Sequence, residues 1–194
     1  MYKPRLITAP ATQPVSLDEA KQFLNILHDD DNVLLTAFIT AATQYLDGYS
    51  GVLGRAILLQ TWEMPFDRFP AGRCGLSLPF GGVTGIVSLQ WKDSQGVDHS
   101  VDASDCVLET LTTGQVVSLK QGSVWPSTGQ SIRLIFEAGV LSAAQVPEII
   151  KTTIKWMVAD FYERRGSSSA DGSDFASTNP AFQSLVQLCR QYSF

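Results

Sequence analysis

The stretch QTWEMPFDRFP, residues 60–70, marks the place where the periodicity of the chain changes. Its apolar side chains Trp62, Met64 and Phe66 occupy every second position, which is the pattern of a half-buried β-strand. Aromatic side chains at this spacing are typical of a core rather than of a ligand platform. Pro65 has no N–H for a β-ladder, so the pattern also predicts that this strand lies at the edge of a sheet.

The period of two continues from residue 56 to residue 139, with turn residues between short apolar segments. Residues 93–96, DSQG, have the composition of a hairpin turn, and Gly96 stands where a positive φ is needed. Several short strands with frequent turns predict an inserted antiparallel β-sandwich or barrel over residues 56–139. The side chains predicted to share a strand face are Val87, Leu89 and Trp91 on one strand and Ile132, Leu134 and Phe136 on the last.

Helical periodicity flanks this region on both sides. Ser16 followed by Glu19 is a capping box at the start of the first helix. A second apolar stripe continues to residue 51, and a third helix with a wide apolar face begins at Pro147, a residue that the first turn of a helix tolerates. The sequence therefore predicts an α+β fold. Residues 1–55 and 140–194 form a small helical bundle with mobile arms, built from an N-terminal helix pair and C-terminal helices, and the β domain is inserted into it.

Composition limits the classes of function. The net charge of the 194 residues is −5 and no cluster of Lys and Arg occurs, which argues against tight binding to nucleic acid. Three widely spaced cysteines indicate neither a disulfide framework nor a zinc site, and free thiols suit a reducing compartment. No segment has the length and hydropathy of a membrane helix, so we expect a soluble protein made in the cytoplasm, with no membrane partner.

Candidate catalytic and metal-binding residues are few. His28 and His99 are the two imidazoles, and neither lies in a triad or metal-ligand spacing. Residues 28–32, HDDDN, lack the glycine and glutamate of a calcium loop, and residues 81–85, GGVTG, lack the Lys-Ser/Thr of a phosphate loop. We interpret the first as a helix start and the second as a turn.

Three acidic residues of the third helix, Glu148, Asp160 and Glu163, do not share one face cleanly and are read as a solvated surface with nearby lysines as partners. The residues alone thus predict no enzyme, no catalytic residues, no metal and no cofactor. A second hypothesis stays open, that of a small-ligand-binding or hydrolytic protein. It would use a pocket in the β domain surrounded by Trp62, Trp91 and Trp125.

Four segments carry a family resemblance. They are SLDEAKQFL at 16–24, DDDNVLLTAFITAATQYLDGYSG at 29–51, GRAILLQTWEMPFDRFP at 54–70 and VPEIIKTTIKWMVADFYERRG at 146–166. In this order and spacing they resemble the tailed-phage head-tail connectors, also called head-completion adaptors, in the longer form found in prophages and gene transfer agents. The Gln-Thr-Trp-Glu strand of that family corresponds to residues 60–63, so the opening stretch is expected to begin the β insertion.

The resemblance implies a structural virion protein of the head-tail interface. Such a subunit forms a ring, a dodecamer in the virion, under the portal protein, extends the DNA channel, and joins the head to a stopper or tail-completion protein. DNA passes through the channel without sequence-specific binding, which suits an acidic chain. Assembly is expected in the host cytoplasm and the final location is the virion neck. Another neck component, such as a stopper or tail-completion protein, is the related alternative.

The C-terminal segment is a candidate docking element. Residues 166–178, GSSSADGSDFAST, have the composition of a linker, and a short amphipathic helix is predicted after it. Because this linker separates the helix from the bundle, we expect residues 179–194 to be dispensable for folding and to order on docking to the portal or an adjoining ring. The side chains predicted to make this contact are Phe182, Leu185, Leu188, Tyr192 and Phe194.

Overall fold

The structure, a computed structural model, describes residues 3–70, 74–78, 81–111, 114–121, 123–126, 129–164 and 180–190. Within them the chain forms four α-helices and two antiparallel sheets, so the predicted α+β class is confirmed. The helices are α1 (Leu17–Leu24), α2 (Asn32–Leu46), α3 (Glu148–Glu163) and α4 (Pro180–Cys189). The strands are β1 (Arg5–Thr8), β2 (Gln60–Phe66), β3 (Leu76–Ser77), β4 (Val83–Lys92), β5 (Asp98–Val101), β6 (Cys106–Leu111), β7 (Gly114–Leu119) and β8 (Gln130–Ala138).

The first helix begins with the capping box that its sequence predicts. Ser16 Oγ accepts a hydrogen bond from the backbone N–H of Glu19 at 3.2 Å, and Glu19 Oε2 accepts one from the backbone N–H of Ser16 at 2.8 Å. The bond from the Ser16 backbone is the main reason that the pKa of Glu19 lies below its ordinary value. Two of the N–H groups that a helix start leaves unpaired are thus satisfied.

The four described helices enclose one core. α2 packs along α3, α1 touches both, and α4 lies on α3. Phe38 of α2 and Phe161 of α3 meet with ring centroids 5.7 Å apart, and the Tyr162 hydroxyl donates to Asp31 at the start of α2. The apolar stripes predicted from the sequence are therefore buried against one another. The larger side chains of this core include Val15, Leu35, Ile39, Leu46, Leu53, Ile150, Ile154, Met157, Val158, Phe182 and Val186.

The larger sheet has five strands in the order β1-β2-β8-β4-β5, all antiparallel. Ile132, Leu134 and Phe136 of β8 are completely buried on one face, as predicted. Trp62 of β2 lies opposite Phe136, and Met64 lies opposite Leu134. The alternating apolar side chains of residues 60–66 thus face the core. The prediction that these aromatic residues belong to a core, rather than to a ligand platform, is correct.

One face prediction in this sheet is wrong. Leu89 is fully buried whereas Val87 is 46 % exposed, although the two were expected on the same side. The register explains the difference, because Ile86 pairs with Phe136 and Ser88 pairs with the residue that precedes Phe136, so Val87 has no partner on β8. Val87 is the extra residue of a β-bulge, and a bulge reverses the alternation of side chains on the strand that carries it.

The edge prediction for β2 is also wrong, because the N-terminal arm adds a strand beside it. β1 pairs with β2 through Arg5 opposite Glu63 and Leu6 opposite Trp62. This ladder ends at Glu63, so Pro65 lies beyond it and its missing N–H interrupts no pairing with β1. β1 occupies the edge of the sheet in place of β2.

The smaller sheet, in the order β3-β7-β6, is tied to the larger one by a side chain. Gln115 of β7 accepts from the N–H of Val83 at 2.8 Å and donates to its carbonyl at 3.0 Å. The described strands thus form two sheets rather than a closed barrel, and they share a second core, distinct from that of the helices. The domain boundaries at residues 55/56 and 139/140 stay a prediction.

The hairpin turn after β4 has the predicted chemistry. Gly96 has φ +80°, and Asp93 Oδ1 accepts hydrogen bonds from the N–H groups of Gln95 and Val97 at 2.8 and 2.9 Å. His99 Nε2 lies 2.9 Å from Asp93 Oδ2, and its hydrogen bond is the main reason that the pKa of Asp93 is lowered. This turn leads directly into β5, which the sequence analysis did not delimit.

Candidate functional site

The carboxylate of Asp47 joins the end of α2 to the chain that leads into β2. Asp47 Oδ1 accepts from the backbone N–H of Ile57 at 2.7 Å, and Oδ2 accepts from Gln60 Nε2 at 2.9 Å. Both donors are 3 % exposed. Burial raises the pKa of Asp47, and the hydrogen bonds from Ile57 and Gln60 oppose that shift without cancelling it. These contacts position β2 relative to the end of α2.

The C-terminal helix α4 lies next to this junction and contains most of the predicted docking residues. Pro180 occupies its first position, where a missing N–H costs nothing, and Ser184 Oγ donates to the Pro180 carbonyl at 2.9 Å. Burial raises the pKa of Cys189 in its last turn, and the nearby Arg55 opposes this. The helix is thus packed against the rest of the bundle.

A groove of about 660 Å³ lies between α4 and the end of α2. Its apolar walls include Tyr45, which is 43 % exposed, and Leu188, which is 76 % exposed. Polar side chains of Gln183 and Gln187 lie along the same groove. We name it the C-terminal groove; its lining residues are Tyr45, Val52, Phe182, Gln183, Ser184, Val186, Gln187, Leu188 and Arg190.

The structure separates the five predicted docking residues. Phe182 is 2 % exposed and belongs to the helical core, Leu185 is half-buried, and Leu188 points to solvent. Tyr192 and Phe194 lie outside the described residues, as does the linker predicted at 166–178. The docking role of all five stays a prediction. The burial of Phe182 argues against the expectation that residues 179–194 are dispensable for folding.

The acidic corner at residues 28–32 is a helix start with local partners. Asp29 Oδ1 accepts from Lys21 Nζ at 2.6 Å and from Asn32 Nδ2 at 3.1 Å, and the Lys21 contact is the main reason that its pKa is lowered. Asp31 accepts a hydrogen bond from the Tyr162 hydroxyl. Each of these two carboxylates is thus used in contacts within and between helices.

The three tryptophans of the ligand-pocket hypothesis do not surround one cavity. Trp62 is buried under Gly48, whereas Trp125 stacks on Phe69 at 5.4 Å and donates from Nε1 to the Cys74 carbonyl at 2.7 Å. An open groove of about 780 Å³ runs beside Trp125, and its described lining includes neither Trp62 nor Trp91.

Neither imidazole of the described chain lies in a catalytic arrangement. His99 stacks on Trp91 with centroids 5.3 Å apart and contacts Asp93, and His28 lies 3.8 Å from Asp30 on the surface. Among the described residues, no group of three His, Cys, Asp or Glu side chains could hold a metal ion. The helices in the same ranges are too short or too polar to span a bilayer.

The N-terminal arm is the surface element that the sequence analysis missed. β1 is exposed along its whole length, including the aliphatic side chains of Leu6 and Ile7. The only signal in the sequence was a four-residue run, RLIT, between two prolines, which is too short for a strand to be recognised from its period. The opposite edge strand, β5, carries charged neighbours, since Lys92 and Asp98 form an ion pair of 2.7 Å.

Comparisons with known proteins bear on this arrangement of elements. Residues 14–66 match the family described as "Phage gp6-like head-tail connector protein". This range runs from the arm through α1 and α2 and ends with β2. It therefore contains the Asp47–Gln60 contact and residues 60–66 of the stretch QTWEMPFDRFP. Curated protein sequences give no match.

Solved structures match over the whole chain. A chain in the virion of a native gene transfer agent particle has a TM-score of 0.74 at 17 % identity, and a chain in the neck of the empty particle, computed with C6 symmetry, has 0.74 at 19 %. A chain in the neck of the native particle, computed with C12 symmetry, has 0.65 at 19 %. Each match covers 100 % of this chain and 97 % of the other.

The resemblance noted in the sequence is therefore confirmed: residues 14–66 match the phage gp6-like head-tail connector family, and the chain as a whole has the fold of a chain in the gene transfer agent neck.

Proposed function

We propose that this protein is a structural head-tail connector. Copies of it form a ring, a dodecamer in the virion, beneath the portal protein, continue the DNA channel, and receive a stopper or tail-completion protein. The observation that carries the proposal is the combination of a connector-family match at residues 14–66 with a fold match over the full length to chains of a particle neck.

The charge of the chain supports a channel role. A ring through which DNA moves must not hold the phosphate backbone, because each phosphate neutralised by a cation adds to the affinity. The chain has 14 basic and 19 acidic residues, which gives a net charge of −5. Twelve copies would add to a strongly acidic ring, in which DNA passes without sequence-specific binding.

The proposal includes no catalytic step. The contact of His99 with Asp93 closes a hairpin turn at the surface. The half-buried carboxylate of Asp47 accepts hydrogen bonds from Ile57 and Gln60. Both arrangements serve the fold, so the protein works through its surfaces.

The C-terminal groove is the surface that we assign to the portal or an adjoining ring. Leu188 is exposed there beside Tyr45, with polar side chains around them, as in interfaces that combine an apolar centre with a polar rim. Phe182 contributes by holding α4 in place from inside the bundle.

Electron microscopy of the protein mixed with its cognate portal tests this function. We expect rings coaxial with the portal, with a continuous central channel. A matched sample of the portal alone controls for its own ring. Particles of portal without added density, at protein concentrations that saturate any micromolar interaction, would contradict the proposal.

A further inference from the structure

We propose that the N-terminal strand is exchanged between neighbouring copies in the ring, so that the Arg5–Thr8 strand of one copy pairs with β2 of the next. The inference rests on the ring proposed above. It specifies one contact between neighbouring copies of that ring, made by the N-terminal arm of one copy and the sheet edge at β2 of the next. The partner is therefore a second copy of this chain.

The first observation is that the arm is attached to its own copy almost entirely through its backbone. From residue 3 to residue 13 every side chain is exposed or only half-buried, and Pro14 and Val15 are the first buried residues. Ile7 is bulged out of the ladder between Leu6 and Thr8. Separating β1 from β2 of the same copy therefore exposes little apolar surface.

The second observation is that the segment behind β1 is loosely seated. Residues 9–14 bridge a hollow of about 160 Å³ above α2, and Thr43 Oγ1 is buried beside it without a hydrogen-bond partner among the described residues. Among the described residues, the segment makes one side-chain hydrogen bond, from Gln13 Nε2 to Thr40 Oγ1 at 3.3 Å on the surface. Such a segment can leave its position at low cost.

The third observation concerns the hinge. Pro10 and Pro14 lie between β1 and the capping box at Ser16, and proline stiffens a connecting segment by fixing φ. Six residues from 9 to 14 reach about 20 Å when extended. The anchor at Val15, 1 % exposed, stays in place when the arm moves.

Symmetry supplies the last step. A ring needs a head-to-tail interface, in which two different patches meet, and exchange of one element is a low-cost way to make one. Each copy gives β1 and receives β1, so the ladder of the monomer is reproduced between copies with its register intact.

The test uses two full-length variants in which Cys74, Cys106 and Cys189 are replaced by serine, so that each chain carries a single engineered cysteine and cannot cross-link internally. Arg5→Cys and Glu63→Cys chains are mixed before ring assembly on the cognate portal, then oxidised mildly, because residues 5 and 63 are opposite in the ladder. We expect disulfide-linked dimers in the ring fraction, with peptide mapping that joins residue 5 to residue 63. The matched control mixes Arg5→Cys with Thr84→Cys, an exposed position of β4 that does not pair with β1, and should give none.

The outcomes separate the exchange from the ring itself. A double variant, Arg5→Cys/Glu63→Cys, carries both cysteines on one chain. If rings form but only this double variant cross-links, and only within single chains, the exchange is overturned and the ring stands. If no rings form, the ring is overturned together with the exchange. A second variant, lacking residues 1–8, should keep its thermal midpoint within about 4 °C and lose ring assembly. Assembly of that variant at the wild-type level would also overturn the exchange.

Discussion

Gln60 donates from Nε2 to Asp47 Oδ2 over 2.9 Å, and this contact ties the first core strand of the large sheet to the end of α2. The same carboxylate accepts from the N–H of Ile57, three residues earlier on the chain that leads into the strand. One side chain thereby satisfies two buried donors at the point where the helical segment ends. It is one of the contacts that join the helical and the β part of the protein.

We expect Asp47→Ala to lower the free energy of unfolding by about 3 kcal/mol, because it leaves the Ile57 N–H and the Gln60 amide without an acceptor. Asp47→Asn is the matched control. The Oδ1 atom of the new asparagine still accepts from the Ile57 N–H, and the Gln60 amide can rotate to accept from the asparagine Nδ2. The decrease in unfolding free energy should therefore be clearly smaller than for Asp47→Ala. Urea unfolding followed by tryptophan fluorescence measures both. Equal losses in the two variants would show that charge, rather than hydrogen bonding, matters here.

The contribution of the Asp47 carboxyl to stability should depend on pH in a definite direction. Burial raises the pKa of Asp47 above its ordinary value of 3.8, so the native state holds the proton to a higher pH than the unfolded chain does. The contribution of the group to stability is therefore complete below that ordinary value and is lost as pH rises through the folded pKa. Compared with Asp47→Asn, wild-type protein should lose stability as pH is raised from about 4 towards 7. A wild-type protein that gains relative to the variant over this range contradicts the shift.

Phe182 provides the test of whether α4 belongs to the helical core. Phe182→Ala should cost about 3–5 kcal/mol in unfolding free energy, because it opens a cavity beneath α4. Leu188→Ala, at a side chain that is 76 % exposed on the same helix, should change stability by less than about 0.5 kcal/mol. If chemical denaturation shows both variants to be neutral, the helix is not held by the bundle and the original expectation of a dispensable segment returns.

Much of the fold followed from the periodicity of the sequence. Side chains at helical spacing, such as Ile150 and Ile154, and at strand spacing, such as Leu134 and Phe136, are buried as predicted, because burial of one face is what sets each period. The errors lie where a local irregularity changes the period. The bulge at Val87 adds one residue to β4, and no property of a valine in a run of strand formers indicates it.

The functional surfaces were harder to predict, for a different reason. β1 gains its strand conformation from the ladder with β2, a tertiary contact between residues more than fifty positions apart, and its four residues carry no periodic signal. Phe182 was predicted as a docking residue on the apolar face of a short helix, but sequence cannot distinguish a side chain that packs on a partner from one that packs on its own bundle. In both cases the missing information is which surface the segment meets.

Gly139 marks the return from β8 to the helical part and should tolerate no side chain. Its φ is +98°, and an added Cβ would lie 2.2 Å from the Leu58 carbonyl oxygen. We expect Gly139→Ala to cost about 3 kcal/mol or more. Gly96→Ala is the control, since Gly96 has φ +80° with open space around it, and only the conformational cost of about 1 kcal/mol should remain. Similar urea midpoints for the two variants would show that the backbone at residue 139 can move away.

Leu188 is the described residue best placed to test docking apart from folding. A carboxylate at this position would have to lose its water to enter an apolar interface, so Leu188→Asp should reduce co-sedimentation with the portal by at least about tenfold. Because the side chain is exposed in the free protein, circular dichroism and the thermal midpoint should be nearly unchanged. Val124→Asp is the matched control, since Val124 is 75 % exposed but lies in the β part of the chain, away from the C-terminal groove. Normal portal binding by Leu188→Asp would remove the groove from the docking surface, and equal loss in both variants would point to a general effect of added negative charge on an already acidic ring.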